Sequence, residues 1–598
     1  MNNKYRHIAI LTGLIFQLLL VKQNLFAQDT LANGHLNIRL NQVGFYPDAP
    51  KIGIILTSKG VDFYVQTINK KTVFTGTLTK SVKPTFSGTT TNIANFSALH
   101  KPGKYLLYVP DVGYSYPFEI KKSVHRDVAA GAIKAFYFMR ASTGLDKKYA
   151  GKWARVEGHP DAAVLIHPSA VTDKRPAGSV ISSPRGWYDA GDYNKYIVNS
   201  GISTSTLLSL YEDFPAYMKT VKLSIPESGN HIPDVLNEVL WNLRWMLTMQ
   251  DPNDGGVYHK LTTAAFDKFE MPEKDTSRRY VVQKGTAATL DFAAVLAQAS
   301  RIFSNFPNEL PGLADSCLKQ ANLAWDWAVK NPNVVYNQNE MNKKFEPKVT
   351  TGAYGDFNFS DEFIWAASEL TVTTRQPQYL KDIKLIPDDK MPLPTWSQVR
   401  LLGYYSLIKN ETALGSATPQ ELPELKKRLL AFADDLINGA DETANQTVMD
   451  KSARNFGWGS NSVTANQGIA LIQAYKFSGD AKYLAYALAN FDYILGRNGS
   501  GYSYVTGFGS KPAMHPHHRP SASDGIVDPV PGLLVGGPNP GMQDGIKVPS
   551  KFPDEAYIDD ERAYAANEIA INWNAPLAYL ANAIEALQDK IKPVEKIK

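Results

Sequence analysis

Two carboxylates lie three positions apart in the stretch 186–193, which reads Gly-Trp-Tyr-Asp-Ala-Gly-Asp-Tyr. The alanine and glycine between Asp189 and Asp192 allow a tight turn with room for a water molecule or a substrate hydroxyl. Trp187 and Tyr188 precede the pair, and aromatic rings can cover the apolar face of a pyranose while carboxylates bind its hydroxyls. The stretch suits a sugar-processing site, but an acidic turn that caps a helix accounts for it equally well, since Asp is a favoured N-cap.

A third carboxylate, Glu568, lies near the C-terminus among small apolar residues and tyrosines. On a helix, Tyr564, Glu568 and Asn572 would share one face because they are spaced four residues apart. Partial burial there would raise the pKa of the Glu568 carboxyl and suit it to act as a general acid. The alternative is a solvated glutamate on a helix surface, one of 58 acidic residues in the chain.

The elements that must position these residues change in kind at about residue 122, after which apolar residues recur at helical spacing. Helices are predicted at 124–140, 197–214, 232–250, 288–303, 313–330, 361–371, 396–409, 421–437, 465–477, 481–495 and 561–591. Long loops at 143–196, 331–360 and 497–560 separate some of them, and loops of this length are typical of functional segments. Helices alternating with such loops predict an α/α toroid with a cleft where the loops meet.

The segment from residue 35 to about 120 has a different pattern, with short runs rich in β-branched and aromatic residues. Strands are predicted at 36–40, 51–56, 62–65 and 104–109, with turn residues between them. Several strands at this spacing predict a small sandwich of immunoglobulin type. No Cys-Trp-Cys pattern is present, so the number of strands alone carries this prediction.

Residues 1–27 have the features of a secretory signal: a basic start with Lys4 and Arg6, an apolar run at 8–21 and a small residue before Gln28. No cysteine lies at this point, as a lipoprotein would require, and the apolar run is too short and interrupted for a membrane span. We therefore expect a secreted or periplasmic protein that does not span a membrane.

The amino-acid composition excludes two further classes of protein, those stabilised by disulfides and those that bind nucleic acid. The single cysteine, Cys317, excludes a disulfide framework within the chain, so a large core must stabilise it. The net charge of +5 falls to +2 without the three basic residues of the signal segment, and no basic stripe indicates nucleic-acid binding. We expect a monomer.

The motifs around these carboxylates resemble the signatures of glycoside hydrolase family 9. The C-terminal pattern aromatic-x-Asp-x4-aromatic-x3-Glu-x-small-x3-Asn-small is matched by Tyr557, Asp559, Tyr564, Glu568, Ala570, Asn574 and Ala575. The family's other signature is matched by Ser503, Val505, Thr506, Gly509, Lys511, Pro516, His517 and Arg519. The stretch 189–192 resembles the family's motif for the nucleophilic water, and 39–45 is similar to the start of an immunoglobulin-like module found in one branch. The resemblance covers essentially the whole mature chain.

The resemblance implies a mainly α fold in three parts: a signal peptide at 1–27, an immunoglobulin-like β-sandwich at 28–121 and an (α/α)6 barrel at 122–598. It also implies a glycoside hydrolase, most often an inverting endo-β-1,4-glucanase acting on cellulose-type glucans. Xyloglucan and mixed-linkage glucan are favoured over crystalline cellulose, because no separate carbohydrate-binding module follows Lys598.

Inversion requires an acid and a base whose carboxyls stand about 6.5–9.5 Å apart, so that a water molecule fits beside the base. By motif position, the resemblance implies that Glu568 is the general acid, that Asp192 is the general base and that Asp189 helps to hold the water. Neighbouring carboxylates repel, so one of the two aspartates is expected to titrate high.

Two alternatives remain open. One is an exo-acting β-glucosidase or glucosaminidase on short oligosaccharides, with loop 143–186 or 520–556 closing one end of the cleft. The other is a non-catalytic carbohydrate-binding protein, against which the intact catalytic carboxylates argue.

Substrate contacts are also implied by the resemblance. His517 and Arg519 would donate hydrogen bonds to sugar hydroxyls near the cleavage point, and His259 matches a substrate-contact position of the family. Core packing is the usual role of a tryptophan, but Trp458 stands in a glycine-rich loop that is hard to bury. The aromatic candidates for sugar contact are Trp187, Tyr188, Trp458, Tyr564 and Trp573.

No cofactor is expected to be required, but a structural metal is considered. Some relatives with the same N-terminal module bind zinc through cysteines, whereas here Ala141 and Ser142 stand where a cysteine is expected, so zinc is not predicted. The stretch 355–362 resembles a family calcium loop, with oxygen ligands that suit calcium. Its candidate ligands are Asp356, Asp361 and Glu362. Capping of the helix predicted to start at Asp361 is an equal alternative.

Overall fold

The computed structural model describes residues 35–80 and 84–593, and the predicted signal peptide lies outside them. Two main hydrophobic cores organise this part of the chain, one within an N-terminal β-sandwich and one within a helical barrel. The prediction of a mainly α protein with an immunoglobulin-like module is confirmed. In the part of the chain that the structure describes, no helix has the length and apolar character needed to cross a membrane.

The sandwich consists of two sheets, with strand order β1-β3-β7-β6 in one and β2-β10-β8-β4-β5 in the other, where β9 pairs with β8. Its strands are Ile38–Arg39 (β1), Gly44–Phe45 (β2), Ile52–Ile55 (β3), Asp62–Thr67 (β4), Thr72–Thr77 (β5), Thr79–Lys80 (β6), Asn92–Asn95 (β7), Gly103–Val109 (β8), Gly113–Tyr114 (β9) and Phe118–Ile120 (β10). Alternate residues of β8 are buried, as one-sided strands require. Phe45 packs edge to face on both Phe96 and Phe118, each at 5.3 Å between ring centroids.

Eleven helices of ten or more residues follow within the described residues. They are Arg126–Phe138 (α1), Ile197–Asp213 (α2), Asp234–Thr248 (α3), Thr286–Phe303 (α4), Leu313–Lys330 (α5), Ser360–Thr374 (α6), Arg400–Lys409 (α7), Leu422–Ile437 (α8), Ser460–Ser478 (α9), Lys482–Ile494 (α10) and Ile571–Ala586 (α11). Helices α2, α4, α6, α7, α9 and α11 form an inner ring in which each packs on the next and α11 closes on α2. Helices α1, α3, α5, α8 and α10 pack outside it, giving an (α/α)6 barrel.

The helices of the two rings differ in how many of their sides are buried. The inner helix α4 is buried at almost every position, because helices and loops cover all its sides. The outer helix α5 buries Cys317, Ala321, Ala324 and Ala328, a stripe with helical spacing that faces α4. The sixth outer position holds only the short 3-10 turn Pro377–Leu380, which packs on α6. Prolines recur after this turn, and proline prevents a longer helix there.

A five-stranded sheet lies on the loop side of the barrel. Its strands are Val164–Ile166 (β11), Val180–Ile181 (β12), Lys195–Tyr196 (β13), Lys260–Thr262 (β14) and Tyr280–Val281 (β15), in the order β12-β11-β15-β14-β13. In the antiparallel pair β13 and β14, Tyr196 lies opposite Lys260. Strand β13 leads directly from the predicted acidic stretch into α2, so this sheet fixes the exit of that stretch.

The sandwich contacts the loop that precedes His517. Gln42 donates from Nε2 to the carbonyl of Gly501 at 2.9 Å and accepts from the Lys511 N–H at 2.7 Å. Asn41 donates to the Asp492 carboxylate at 2.8 Å. The N-terminal module therefore buttresses one of the long loops of the barrel.

The prediction of one continuous helix at 561–591 is wrong for the residues before Ile571. A single turn, Tyr564–Asn567, ends at Glu568, whose ψ of 154° is extended, and α11 begins only after the extended residue Ala570. The backbone between them pairs with other segments instead, since the carbonyl of Asn567 accepts from the His517 N–H at 2.7 Å. Tertiary hydrogen bonds thus override local helical periodicity, and Tyr564, Glu568 and Asn572 do not share a helix face.

Candidate active site

Three segments that are distant in sequence join through backbone hydrogen bonds around the aspartate pair. The carbonyl of Gly191 accepts from the Arg519 N–H at 3.2 Å, and the carbonyl of Asp189 accepts from the Ile571 N–H at 2.8 Å. Residues 517 and 568 also form a parallel bridge. These bonds bring Asp192 and Glu568 to one place from positions far apart in the chain.

Position 191 requires a glycine because the backbone segments approach each other so closely at this junction. A Cβ atom at this position would lie 2.3 Å from the carbonyl oxygen of His517, which is far inside van der Waals contact. The Gly191 N–H also donates to the Glu568 carboxylate. Glycine here therefore lets the backbone of one segment contact both other segments directly.

The three carboxylates line a cavity of about 790 Å³ on the loop side of the barrel. The predicted site residues that line it are Asp189, Asp192, Trp458, His517, Arg519, Tyr564, Glu568 and Trp573. Residues that were not singled out from the sequence also line it, among them Tyr196, Phe266, Tyr354 and Trp396. Most of the predicted site is thus one contiguous surface.

Asp189 is buried, and its carboxyl group accepts hydrogen bonds from two side chains. Asn199 donates from Nδ2 to Oδ1 at 2.8 Å, and the Tyr354 hydroxyl donates to Oδ2 at 3.0 Å. Burial, followed by the charge of Asp192, raises the pKa of Asp189 to about 8, although both donors oppose the shift. The expectation that one aspartate of the pair titrates high is therefore met at Asp189.

Asp192 has a different hydrogen-bond environment. Asn194 donates from Nδ2 to Oδ2 at 2.5 Å, and the Tyr196 hydroxyl lies 3.4 Å from the same oxygen. One oxygen of the carboxylate is thus held by protein donors at the cavity wall.

Glu568 keeps part of its surface open to the cavity but lies deep within the protein. This burial, together with the charges of Asp192 and Asp189, raises its pKa to about 8, while Arg519 and the Gly191 N–H oppose the shift. The carboxyl is protonated at neutral pH, as a proton donor must be.

Arg519 is held mainly by backbone carbonyls. Its Nε donates to the carbonyls of Asp267 and Lys268 at 3.1 and 3.2 Å, and its Nη1 donates to the carbonyl of Gly191 at 2.6 Å. The guanidinium therefore fastens the loop at 266–269 to the acidic stretch, while its edge still reaches the cavity. His517 Nδ1 lies 2.6 Å from the carbonyl of Glu561, so the rest of its ring is free to face the cavity.

Trp458, Tyr564 and Trp573 form an aromatic wall of the cavity. The rings of Trp458 and Tyr564 lie 5.3 Å apart, and 48 % of Trp458 is exposed. Trp573 packs on Gly459, where a Cβ atom would lie 2.7 Å from its ring. The exposed Trp458 indole has Tyr564 beside it, and Trp573 packs against the neighbouring Gly459. Trp458 is therefore a suitable surface for a sugar ring.

Three sequence-based expectations for sugar contact are corrected by the structure. Trp187 and Tyr188 are buried in the core, where the Trp187 indole donates to Glu238 at 2.9 Å and the Tyr188 hydroxyl contacts His159. His259 is also buried, stacks on Tyr336 at 4.0 Å, and its Nε2 lies 2.9 Å from the carbonyl of Ala353. None of the three lines the cavity.

The expected calcium ligands lie at the start of α6, beside Asp291 of α4. Oxygens without a hydrogen-bond partner are found on all four acids of this cluster: Asp291, Asp356, Asp361 and Glu362. The cap at the start of α6 is Phe359, not Asp361, whose Oδ2 accepts from the Val399 N–H at 2.7 Å, so the capping alternative is wrong. Burial first, then neighbouring negative charge, raises the pKa of Asp291 and of Glu362.

Comparison with known proteins places this arrangement among glycoside hydrolases. The family model described as glycosyl hydrolase family 9 matches residues 125–581, and that of the cellulase N-terminal ig-like domain matches 34–114. The xyloglucan-specific endo-β-1,4-glucanase BoGH9A of Bacteroides ovatus is 47% identical over 92% of this chain and 94% of its own. Endoglucanase D of Acetivibrio thermocellus is 34% identical over 91% of this chain and 82% of its own. A solved structure titled Bacteroides ovatus GH9 superposes with a TM-score of 0.88 at 45% identity, covering 92% of this chain and 99% of that one.

Substitution of Trp187 tests its assignment to the core. Because the indole is fully buried, Trp187→Ala should cost about 3–5 kcal/mol of stability, and Trp187→Phe should cost less. Trp458→Ala, a matched change at an exposed indole, should stay within about 0.5 kcal/mol. Calorimetric melting of the three variants checks this order. A Trp187→Phe protein that melts like the wild type but loses oligosaccharide affinity would contradict it.

Proposed function

We propose, as this chain belongs to glycosyl hydrolase family 9, that its substrate is a branched β-1,4-glucan of the xyloglucan type. The chain is a glycoside hydrolase of the endo-β-1,4-glucanase kind. The choice of xyloglucan is supported by the 47% identity to BoGH9A along nearly the full length of both proteins. The cavity of about 790 Å³ lies in the upper range of small-molecule sites, which suits several sugar units.

The observation that carries the mechanism is that the Glu568 carboxyl, whose pKa is raised by burial, shares one cavity with Asp192. Glu568 gives its proton to the leaving glycosidic oxygen as the bond from that oxygen to the anomeric carbon breaks. A water molecule attacks the anomeric carbon from the opposite face, and Asp192 takes its proton. Proton exchange with solvent then restores both carboxyls.

Asp189 has a supporting role in this scheme. Since its pKa is about 8, it is a neutral acid at pH 7, and it can donate a hydrogen bond to the water while Asp192 accepts from it. The Asn199 and Tyr354 donors fix the orientation of its carboxyl group. The two aspartates therefore act as an unequal pair in which only Asp192 is the base.

Calcium at the start of α6 is part of the proposal. The orphaned oxygens of Asp356, Asp361 and Glu362 are hard donors of the type that calcium prefers, and Asp291 adds two more. Among the described residues, no group of three or more acidic, histidine or cysteine side chains is arranged to enclose a metal ion. We propose that bound calcium would draw these carboxylates together and neutralise their repulsion, with a purely structural effect on the loop after Tyr354.

The acid assignment predicts a selective defect in Glu568→Gln. Hydrolysis of polysaccharide should fall by about 10²–10⁴-fold, the usual contribution of a general acid. An aryl cellobioside with a dinitrophenol leaving group should be cleaved nearly as before, because such a group departs without protonation. In the wild type, kcat/KM should decline as pH rises through about 8, where Glu568 loses its proton.

Glu561→Gln is the matched control, since Glu561 is exposed and only its backbone carbonyl is used. It should retain wild-type rates on both substrates. Equal loss on polysaccharide and aryl glycoside in Glu568→Gln would remove Glu568 from the role of acid.

Substrate choice is tested by a product profile. Xyloglucan should give a higher kcat/KM than carboxymethyl cellulose, mixed-linkage glucan or chitosan oligosaccharides, with a rapid fall in viscosity and few new reducing ends. Slow loss of viscosity with steady release of small sugars would instead identify an exo-acting enzyme. Preference for an unbranched glucan would leave the family assignment intact and refute the xyloglucan proposal.

The calcium proposal is tested by melting in calcium and in EDTA. Binding at a concentration of 100 Kd adds about 2.7 kcal/mol, so the melting temperature should rise in calcium and fall in EDTA. Asp361→Asn should abolish the difference, whereas Asp389→Asn, an exposed change, should not. Equal melting in both buffers, with Asp361→Asn more stable than wild type, would indicate protonated acids in place of a metal.

A further inference from the structure

Lys260, on β14, is a fully buried cation with no carboxylate bonded to its ammonium group among the described residues. Its three protons go to neutral acceptors: Gln338 Oε1 at 2.8 Å, Thr351 Oγ1 at 2.9 Å and the carbonyl of Gly352 at 2.7 Å. Burying an ammonium group in this way is costly unless something compensates for it. Burial lowers the pKa of Lys260 well below its usual value, and the charge of Asp192 opposes this shift by favouring the protonated form.

A row of side-chain hydrogen bonds leads from Lys260 to the oxygen of Asp192. Thr351 Oγ1 lies 2.6 Å from Thr262 Oγ1, and Thr262 donates to Asn194 Oδ1 at 2.9 Å. Asn194 then donates from Nδ2 to Asp192 Oδ2 at 2.5 Å. The Lys260, Thr262, Asn194 and Thr351 side chains are all buried, so water does not compete for these bonds.

The ammonium group sets the direction of this row. In its protonated form, which the charge of Asp192 favours, Lys260 can only donate, so Thr351 accepts from it and has its own proton left for Thr262. Thr262 Oγ1 lies 2.9 Å from Asn194 Oδ1 and 2.9 Å from the carbonyl of Thr263, so its proton is shared between these two acceptors. Asn194 Oδ1 also accepts from the Thr263 N–H at 2.9 Å. The amide nitrogen of Asn194 must then point at Asp192, where it stabilises the ionised carboxylate.

The same strand also supports Asp189. Lys260 binds the carbonyl of Gly352, and the neighbouring His259 binds that of Ala353. The next residue, Tyr354, donates to Asp189. Residues 259–262 thus support both aspartates, Asp189 through the segment 352–354 and Asp192 through Asn194, although none of these four residues lines the cavity.

We propose that Lys260 is a positioning residue for catalysis, acting through Thr351, Thr262 and Asn194 to orient the base Asp192 and favour its ionised form. This inference rests on the proposed role of Asp192. The charged and titratable groups packed around the ammonium group are the Tyr196 and Tyr336 rings at 5.4 and 5.7 Å, together with His167, His259 and Asp192.

Thr262→Val tests the relay without removing the buried cation, because valine keeps the volume and loses the hydroxyl. We expect kcat on xyloglucan to fall on the order of tenfold with little change in KM. The acidic limb of kcat/KM should move to higher pH, since Asn194, the donor to the base, is held less firmly without the Thr262 hydroxyl. Thr262→Ser should restore both the rate and the limb. Thr350→Val, an exposed change one residue from the relay, is the control and should match wild type.

Lys260→Arg and Lys260→Gln give a second comparison. Arginine keeps the cation and should retain more activity than glutamine at equal melting temperature. A Thr262→Val enzyme with wild-type rate and pH profile would refute the relay, as would a loss of rate that follows melting temperature with no shift of the acidic limb. An Asp192→Asn enzyme that remains active would instead overturn the proposed role of Asp192.

Discussion

The active site depends on the direct backbone contact at Gly191. Its carbonyl binds Arg519, its N–H binds Glu568, and its missing side chain leaves space for the carbonyl of His517. Any side chain would separate these segments by more than a hydrogen bond can span. The relative placement of the backbones that carry Asp192 and Glu568 is therefore set by main-chain contacts.

Burial at this junction controls how the Glu568 and Asp189 carboxyls titrate. Glu568 and Asp189 both carry a raised pKa, and in each case burial is the largest cause. Donors to Asp192 come from Asn194 and Tyr196, which are themselves held by the sheet. A low-dielectric site with three carboxyls can hold only part of their possible negative charge, so protons remain where the mechanism needs them.

Periodicity predicted an α/α toroid and a small sandwich, because helices and strands leave short-range signals. The six-fold barrel and the roles of the carboxylates came from the resemblance of the motifs to a known family. The sequence could not tell which aromatic residues face the cavity: Trp187 and Tyr188 adjoin Asp189 but point into the core, whereas Trp396 lies far from any motif. The prediction of a helix through Glu568 was wrong, because the backbone there bonds to His517 and Gly536. A local sequence pattern contains no information on such distant partners. Lys260 was missed for the same reason, as its partners lie about ninety residues away.

The position of α11 has a consequence for biosynthesis. This helix closes the inner ring by packing on α2 and also on α1, and the acid Glu568 stands just before it. A ribosome must therefore release the chain as far as residue 586 before the ring can close and Glu568 can meet Asp192. Prematurely terminated products would keep the aspartates but have an unsealed barrel with exposed apolar surface, the feature that chaperones and proteases recognise in incomplete chains. Closure of the ring and assembly of the three carboxyls are thus reached in the same step.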